Sequence, residues 1–324
     1  MNRCRGARRA RPLYGWFLLL ALAGCAAPPQ TARLLQEPPR DLPPAVELAA
    51  APFFPQEDYQ CGPAALATVL GASGLDIDPE ALVPQVYLPA RRGSLQLELV
   101  AAARRHGRLA YVLGPDLEEL LRQVAAGHPV LVLQNLGTDW YPVWHFAVVV
   151  GYDLARGEVV LRSGRRPRHR VGLALFERTW GRGGHFALLV VRPGDWAPAF
   201  RPGAYARAVV ALEAAGRWEA ARAAYAAGLR RWPGSVVLGM GLGNTLHALG
   251  RREAAAAAFR ALLQRRPDYA PAHNNLAQVL LELGELAAAH GHARRAVALG
   301  GPHAAVYRET LDRIETALAR AGGR

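Results

Sequence analysis

The sequence predicts an α+β domain with an antiparallel sheet, followed by an all-α repeat solenoid. Two observations carry this. In the first half, helix-period segments come early and β-branched apolar runs come late, with hairpin-length gaps between the runs. In the second half, Gly216, Gly250 and Gly284 recur every 34 residues, and Ala221, Ala255 and Ala289 keep the same step. A fixed period of that length marks a stacked helical array. Hydrophobic residues make up 51% and charged residues 20% of the 324, values of a folded chain with room for two domains.

Residues 1–24 read as an export signal. Arg3, Arg5, Arg8, Arg9 and Arg11 precede an apolar run, Leu13 to Ala23, too short for an ordinary membrane span. The run ends in Leu22-Ala23-Gly24-Cys25, which resembles the lipobox of bacterial lipoproteins; the resemblance implies lipidation of Cys25 after cleavage. An uncleaved anchor is the alternative. Residues 25–51 hold Pro28-Pro29, Pro38-Pro39 and Pro43-Pro44 and are expected to be an extended, semi-rigid tether. Ala26, where an Asp would retain an enterobacterial lipoprotein at the inner membrane, implies the outer membrane, facing the periplasm.

The first folded domain is expected over 52–195. Cys61-Gly62-Pro63 opens a helix in which Ala65, Leu66, Val69 and Leu70 recur at helical spacing. A proline-containing loop, 71–92, follows, then a helix over Leu95–His106 with Leu95, Leu99 and Ala102 on one face. Ala110–Leu113 is a short strand, and Asp116 caps a helix through Ala126. Pro129–Leu136, Val143–Tyr152, Glu158–Arg162 and Phe186–Val191 are strands. A short helix spans Leu173–Trp180 before the last of them.

Cys61 is the thiol that remains. Cys4 leaves with the signal and Cys25 is capped by lipid, so no intramolecular disulfide is expected in a compartment that permits them. A thiol at a helix N-terminus lies at the positive end of the macrodipole, which favours the nucleophilic thiolate; the plain alternative is a small buried hydrophobe. His145, in an apolar strand, is the natural base, the alternative being a satisfied core histidine; His185 is the reserve candidate.

Gln56, Cys61-Gly62-Pro63-Ala64-Ala65 and, farther on, Trp144-His145-Phe146-Ala147-Val148-Val149-Val150-Gly151-Tyr152 resemble the C39 and C39-like cysteine peptidases, over roughly 52–192. The resemblance implies a papain-like fold, a Cys61–His145 pair, and an oxyanion hole from the Gln56 amide with the Cys61 N–H, Gln60 being the lesser choice. It also implies an Asp or Asn after the next strand to orient the histidine. Leu161-Arg162-Ser163-Gly164 stands there instead, leaving Ser163, a backbone carbonyl or no third member at all. Asp153 lies beyond the strand end and is expected to face the turn.

Residues 201–324 resemble tetratricopeptide repeats, with units near 202–235, 236–269 and 270–303 and a capping helix over 304–321. Such arrays present a concave surface to a peptide or protein; Asn244, Asn274 and Asn275 sit near first-helix positions that would clamp a peptide backbone. The formal charge is +13, of which the five leader arginines supply five, leaving +8. Arg165-Arg166-Pro167-Arg168-His169-Arg170 is the one dense basic cluster; without interleaved aromatics it reads as a solvated hairpin or loop rather than a nucleic-acid site. No H-E-x-x-H, C-x-x-C or G-x-x-x-x-G-K-[ST] pattern is present, so no metal, cofactor or ATP is expected. Two readings stand: a lipid-anchored cysteine peptidase whose repeats recruit a protein substrate or partner, and a catalytically weak envelope scaffold on the same fold.

Overall fold

A computed structural model describes residues 27–55 and 60–322. Its first element is a departure from expectation. Pro29–Gln36 is a helix, α1, and Ala45–Glu47 is a strand, β1, so the proline-rich segment packs on the domain from Pro29 onward. Pro29 occupies a first-turn position, where its missing N–H costs nothing. Thr31 and Leu34 are buried, and the Thr31 N–H donates to Glu177 Oε2 at 2.6 Å. Proline density gave the wrong answer because these prolines delimit short elements that tertiary contacts hold.

Cys61–Ala72 forms α2, buried on all sides from Gly62 to Leu70. The supposed loop that follows contains Pro79–Val86, α3, capped by Asp78, whose side chain accepts the Glu80 N–H. Burial of Leu82 and Val86 outweighs the hydrogen bond that Pro84 removes. Tyr87–Leu88 (β2) and Gly93–Ser94 (β3) make a small hairpin, and Gln96–Arg105 is α4. Then come Leu109–Val112 (β4), Leu117–Ala125 (α5, with Asp116 accepting the Glu119 N–H), Val130–Asn135 (β5) and Trp144–Asp153 (β6). Glu158–Ser163 (β7), Arg166–Gly172 (β8), Leu173–Arg182 (α6) and Ala187–Val191 (β9) complete the domain. The basic cluster is indeed one strand of a hairpin, and it is ion-paired: Arg168 bridges both Glu47 oxygens and Arg170 meets Glu158.

The sheet is antiparallel, in order β4-β9-β5-β6-β7-β8, with β1 on the far half of β6. Alternate residues divide between two cores. Leu131, Leu133, Phe146, Val148, Val150, Leu188 and Val190 pack with α2, α3 and α4. Val130, Val132, Ala147, Val149 and Leu189 pack with α5 and α6. A sheet covered on both faces explains why its strands read as continuous apolar runs.

The helical half contains three antiparallel pairs and a last helix: Pro202–Ala214 (α7) with Trp218–Arg231 (α8), Val236–Ala248 (α9) with Arg252–Arg265 (α10), Ala270–Glu282 (α11) with Leu286–Leu299 (α12), then Ala304–Gly322 (α13). The 34-residue glycines end helices: Gly216, Gly250 and Gly284 have φ of +70°, +73° and +78°, the left-handed turn that glycine adopts without penalty. Close helix approach comes instead from Gly241 and Gly243, where a Cβ would overlap the Tyr225 and Phe259 rings.

The two halves share one core. Tyr111 on edge strand β4, Phe200, Tyr205 on α7 and Leu238 belong to a single buried cluster. The Tyr111 hydroxyl donates to Ala199 O at 3.0 Å, and the Ala199 N–H donates to Gln123 Oε1 at 3.2 Å. Trp196, Phe200, Tyr205 and Trp232 interlock by their rings at the joint.

Candidate active site

Cys61 is the first residue of α2, and the backbone N–H groups of Phe146 on β6, of Gly62 and of Cys61 itself lie near enough to its sulfur to favour the thiolate. Gly62 is required at this point, because a Cβ there would overlap the Ser94 side chain. Phe146 follows His145, so α2 delivers the thiol to the start of the strand that carries the imidazole. No hydrogen bond joins the sulfur to the ring among the described residues. His145 Nε2 lies 2.8 Å from Ser163 Oγ, which leaves Nδ1 as its other nitrogen. Ser163 reaches the ring from the last position of β7, where the β7–β8 register shifts between Leu161 and Ser163. Asp153 caps the β6–β7 turn by accepting the Arg156 N–H, at the opposite end of β6.

The charge state differs from the sequence expectation. Burial pushes the Cys61 thiol above its ordinary pKa, and the backbone N–H groups of Phe146, Gly62 and Cys61 only partly oppose it. Burial first, and then the charge of His169, push the His145 imidazole down to about 4. At neutral pH the resting pair is therefore thiol and neutral imidazole. The helix end favours a thiolate, but removing the sulfur from water costs more than one N-terminus returns.

Three neighbours make contacts that the sequence reading did not assign. Gln134 is fully buried directly across from His145 in the β5–β6 register, and its amide donates to Thr179 Oγ1 at 2.7 Å. Ser94 presses against Gly62 with a buried hydroxyl that meets no hydrogen-bond partner among the described residues. Arg162 is 8% exposed, and its guanidinium donates to the carbonyls of Ala49, Ala51 and Pro167, tying down the segment that leads toward Cys61. A buried Arg beside the histidine strand was visible in the sequence only as the missing acid's neighbour.

His185 is not part of this cluster: it adopts φ +54° and sets its ring edge-on to Trp180, 4.7 Å between centroids. His128 contacts the Trp196 carbonyl at the inter-domain joint. Gln60 occupies the α2 N-cap without a side-chain cap bond. Gln56 and Cys25 lie outside the described residues. Among the described residues no group of three or more His, Cys, Asp or Glu is placed to hold a metal, and no helix is long and apolar enough to cross a membrane. In the repeats, the Asn275 amide donates to Asn244 Oδ1 at 2.9 Å, and Asn274 to Asn275 Oδ1 at 3.3 Å, so these three form one chain across neighbouring units.

Residues 48–182 match the Peptidase_C39 like family. Among solved structures, one described as a C39-like peptidase from Bacillus anthracis is 22% identical, with 47% of this chain and 98% of that one covered at a TM-score of 0.38. The first TPR of Spaghetti (RPAP3), bound to an HSP90 peptide, is 19% identical over 36% of this chain and 93% of its own, TM-score 0.35. The Yersinia enterocolitica chaperone SycD, in complex with a peptide of the translocator YopD, is 19% identical over 35% and 91%, TM-score 0.33. No curated protein matches the chain.

Proposed function

We propose, from the match of residues 48–182 to the Peptidase_C39 like family, that the chain is a cysteine-type peptidase that hydrolyses peptide (amide) bonds, with Cys61 as nucleophile and His145 as general base and then acid. The observation that carries this reading is the convergence of two elements: the Cys61 sulfur against the Phe146 N–H, and the adjacent His145 held at Nε2 by Ser163. With Nε2–H donated to Ser163, Nδ1 takes the thiol proton as Cys61 attacks the scissile carbonyl. The imidazolium then gives that proton to the leaving amine, and water hydrolyses the thioester with His145 again as base. Because the resting pair is neutral, proton transfer accompanies attack rather than preceding it. Gln56 and the Cys61 N–H are assigned to the oxyanion, about 3 kcal/mol per donor. No cofactor or metal takes part.

In this reading Cys25 carries the lipid that holds the protein at the envelope, at the outer membrane facing the periplasm, and the concave side of the repeats recruits a protein substrate or partner. A second reading, a weakly catalytic scaffold on the same fold, is favoured by the hydroxyl at 163 where a carboxylate would orient the ring. Alkylation of Cys61 against pH separates the two. A peptidase gives a Cys61 rate at neutral pH that falls in His145→Ala, because the imidazole takes the proton as the thiol attacks; a scaffold gives a rate at every pH that is indifferent to that substitution. Continued membrane retention of Cys25→Ser would remove the lipid anchor.

A further inference from the structure

The hairpin between β5 and β6 carries apolar surface that the fold leaves unused. Trp140 is 98% and Tyr141 79% exposed, and Leu136, Val143 and Trp144 are also open to solvent. The tip is a fixed turn: the Leu136 N–H donates to Val143 O at 2.8 Å and the Thr138 N–H to Tyr141 O at 3.1 Å. Asn135 Oδ1 accepts the N–H groups of Gly137 and Val143 from inside it. Large rings displayed on a rigid support mark a contact surface.

The place where the undescribed leader joins the fold indicates what that surface meets. β4 and β5 end, β6 begins and β7 ends at one end of the sheet, the end that holds His145 and Ser163. Helix α1 starts toward that same end. Gln30 accepts the Leu117 N–H and donates to Pro115 O just beyond β4, while Leu35, at the other terminus of α1, lies by Gly157 in the β6–β7 turn. Cys25 precedes Pro29 by four residues, a reach of about 14 Å at most. Tyr141 lies four residues beyond His145 along an extended hairpin, about 13 Å farther out. The chain before Pro29 is thus long enough to bring the acyl attachment point to the end of the sheet from which the aromatic tip projects.

We propose that the Trp140–Tyr141 tip inserts into the headgroup layer of the membrane that holds lipidated Cys25, so that the Cys61–His145 end of the sheet faces the lipid surface. The proposal rests on the lipid-anchor reading above. Trp and Tyr rings, apolar with one polar atom, suit that layer. Exposed Arg165, in the β7–β8 turn, and Arg166, the first residue of β8, stand at the same end and suit anionic headgroups, against one acid at the hairpin tip, Asp139. The substrate class that follows is an amide bond in a chain lying on, or emerging from, the membrane surface, within about 13 Å of it.

The test uses the full chain, processed and lipidated, in phosphatidylethanolamine–phosphatidylglycerol vesicles with brominated acyl chains. Tryptophan emission should be quenched in the native chain. Most of that quenching should be lost in a Trp140→Gln, Tyr141→Gln variant that still sediments with the vesicles and melts at the same temperature. Retention on vesicles with equal quenching in both chains would overturn the proposal and leave the anchor standing. A native chain that does not sediment with the vesicles would overturn both. Absent quenching combined with a raised KM of the variant for a soluble peptide would make the tip a substrate-binding surface instead, and would also overturn it.

Discussion

Ser163→Asp is the most informative perturbation. In the native site a neutral hydroxyl meets Nε2 of a buried imidazole at 2.8 Å, and no anion among the described residues offsets the burial that holds His145 near 4. A hydrogen bond between neutral groups contributes about 1 kcal/mol, whereas one to a charged group contributes about 1.5–3 kcal/mol. Replacing hydroxyl by carboxylate therefore favours the imidazolium by the difference, about 0.5–2 kcal/mol, or about half a unit to one and a half pKa units at about 1.4 kcal/mol each. The imidazole should titrate between about 4.5 and about 5.5 in the variant. The direction follows from charge: an anion beside the ring stabilises its protonated form. The assay is the pH titration of the His145 ring proton resonance, with the Cys61 alkylation rate followed in parallel. Faster alkylation at neutral pH should accompany the shift. An unchanged titration would refute the claim that Ser163 sets the state of His145.

Ser163→Ala leaves Nε2 without its partner, and kcat/KM on a peptide should fall by about tenfold, the equivalent of about 1.4 kcal/mol, with the fold intact by circular dichroism. Global stability should fall as pH drops below about 6.5, because the unfolded imidazole takes a proton that the folded one refuses until about 4. The loss is complete near 4 and amounts to about 3 kcal/mol; in urea melts the stability difference between native and His145→Asn chains should change across that window and stay constant above it. Arg162→Met removes a buried cation bound to three carbonyls, and leaving those carbonyls unpaired should cost about 3 kcal/mol in the same melts. Gly241→Ala forces a methyl group against the Tyr225 ring and should destabilise the array by about 1–3 kcal/mol, seen as a lower thermal midpoint.

The parts of the fold legible in sequence were those with a strong period. The strands 130–135, 144–153 and 187–191 announced themselves as β-branched runs, and the 34-residue step placed every helix pair of the array. Local chemistry also spoke where a single residue decides the matter, as with Asp116 capping α5. The reading failed where proline was taken as a breaker. Pro29 and Pro79 instead open helices whose apolar residues, Leu34 and Leu82, are held by contacts with distant elements. At the site, Cys61 and His145 were visible as residue types in context, and the Ser163–His145 hydrogen bond matched one of the alternatives left open. The resting charge state was not legible, because it depends on how deeply α2 is buried and on His169 acting from β8, two strands away. The contacts of Gln134 and Ser94 were equally silent, since each matters only through what lies across from it.

The joint at Tyr111, Phe200 and Tyr205 bears on how this chain comes apart. The sheet domain lends its edge strand to the first helical pair, much as a terminal cap would close a free-standing array, and the pair in turn shields that edge from pairing with other strands. Proteolysis or genetic truncation near residue 200 would leave two pieces, each with an apolar wound where the other had been. The halves are therefore expected to be made, kept and lost together, and a fragment ending there should be recovered from cells mainly as aggregate.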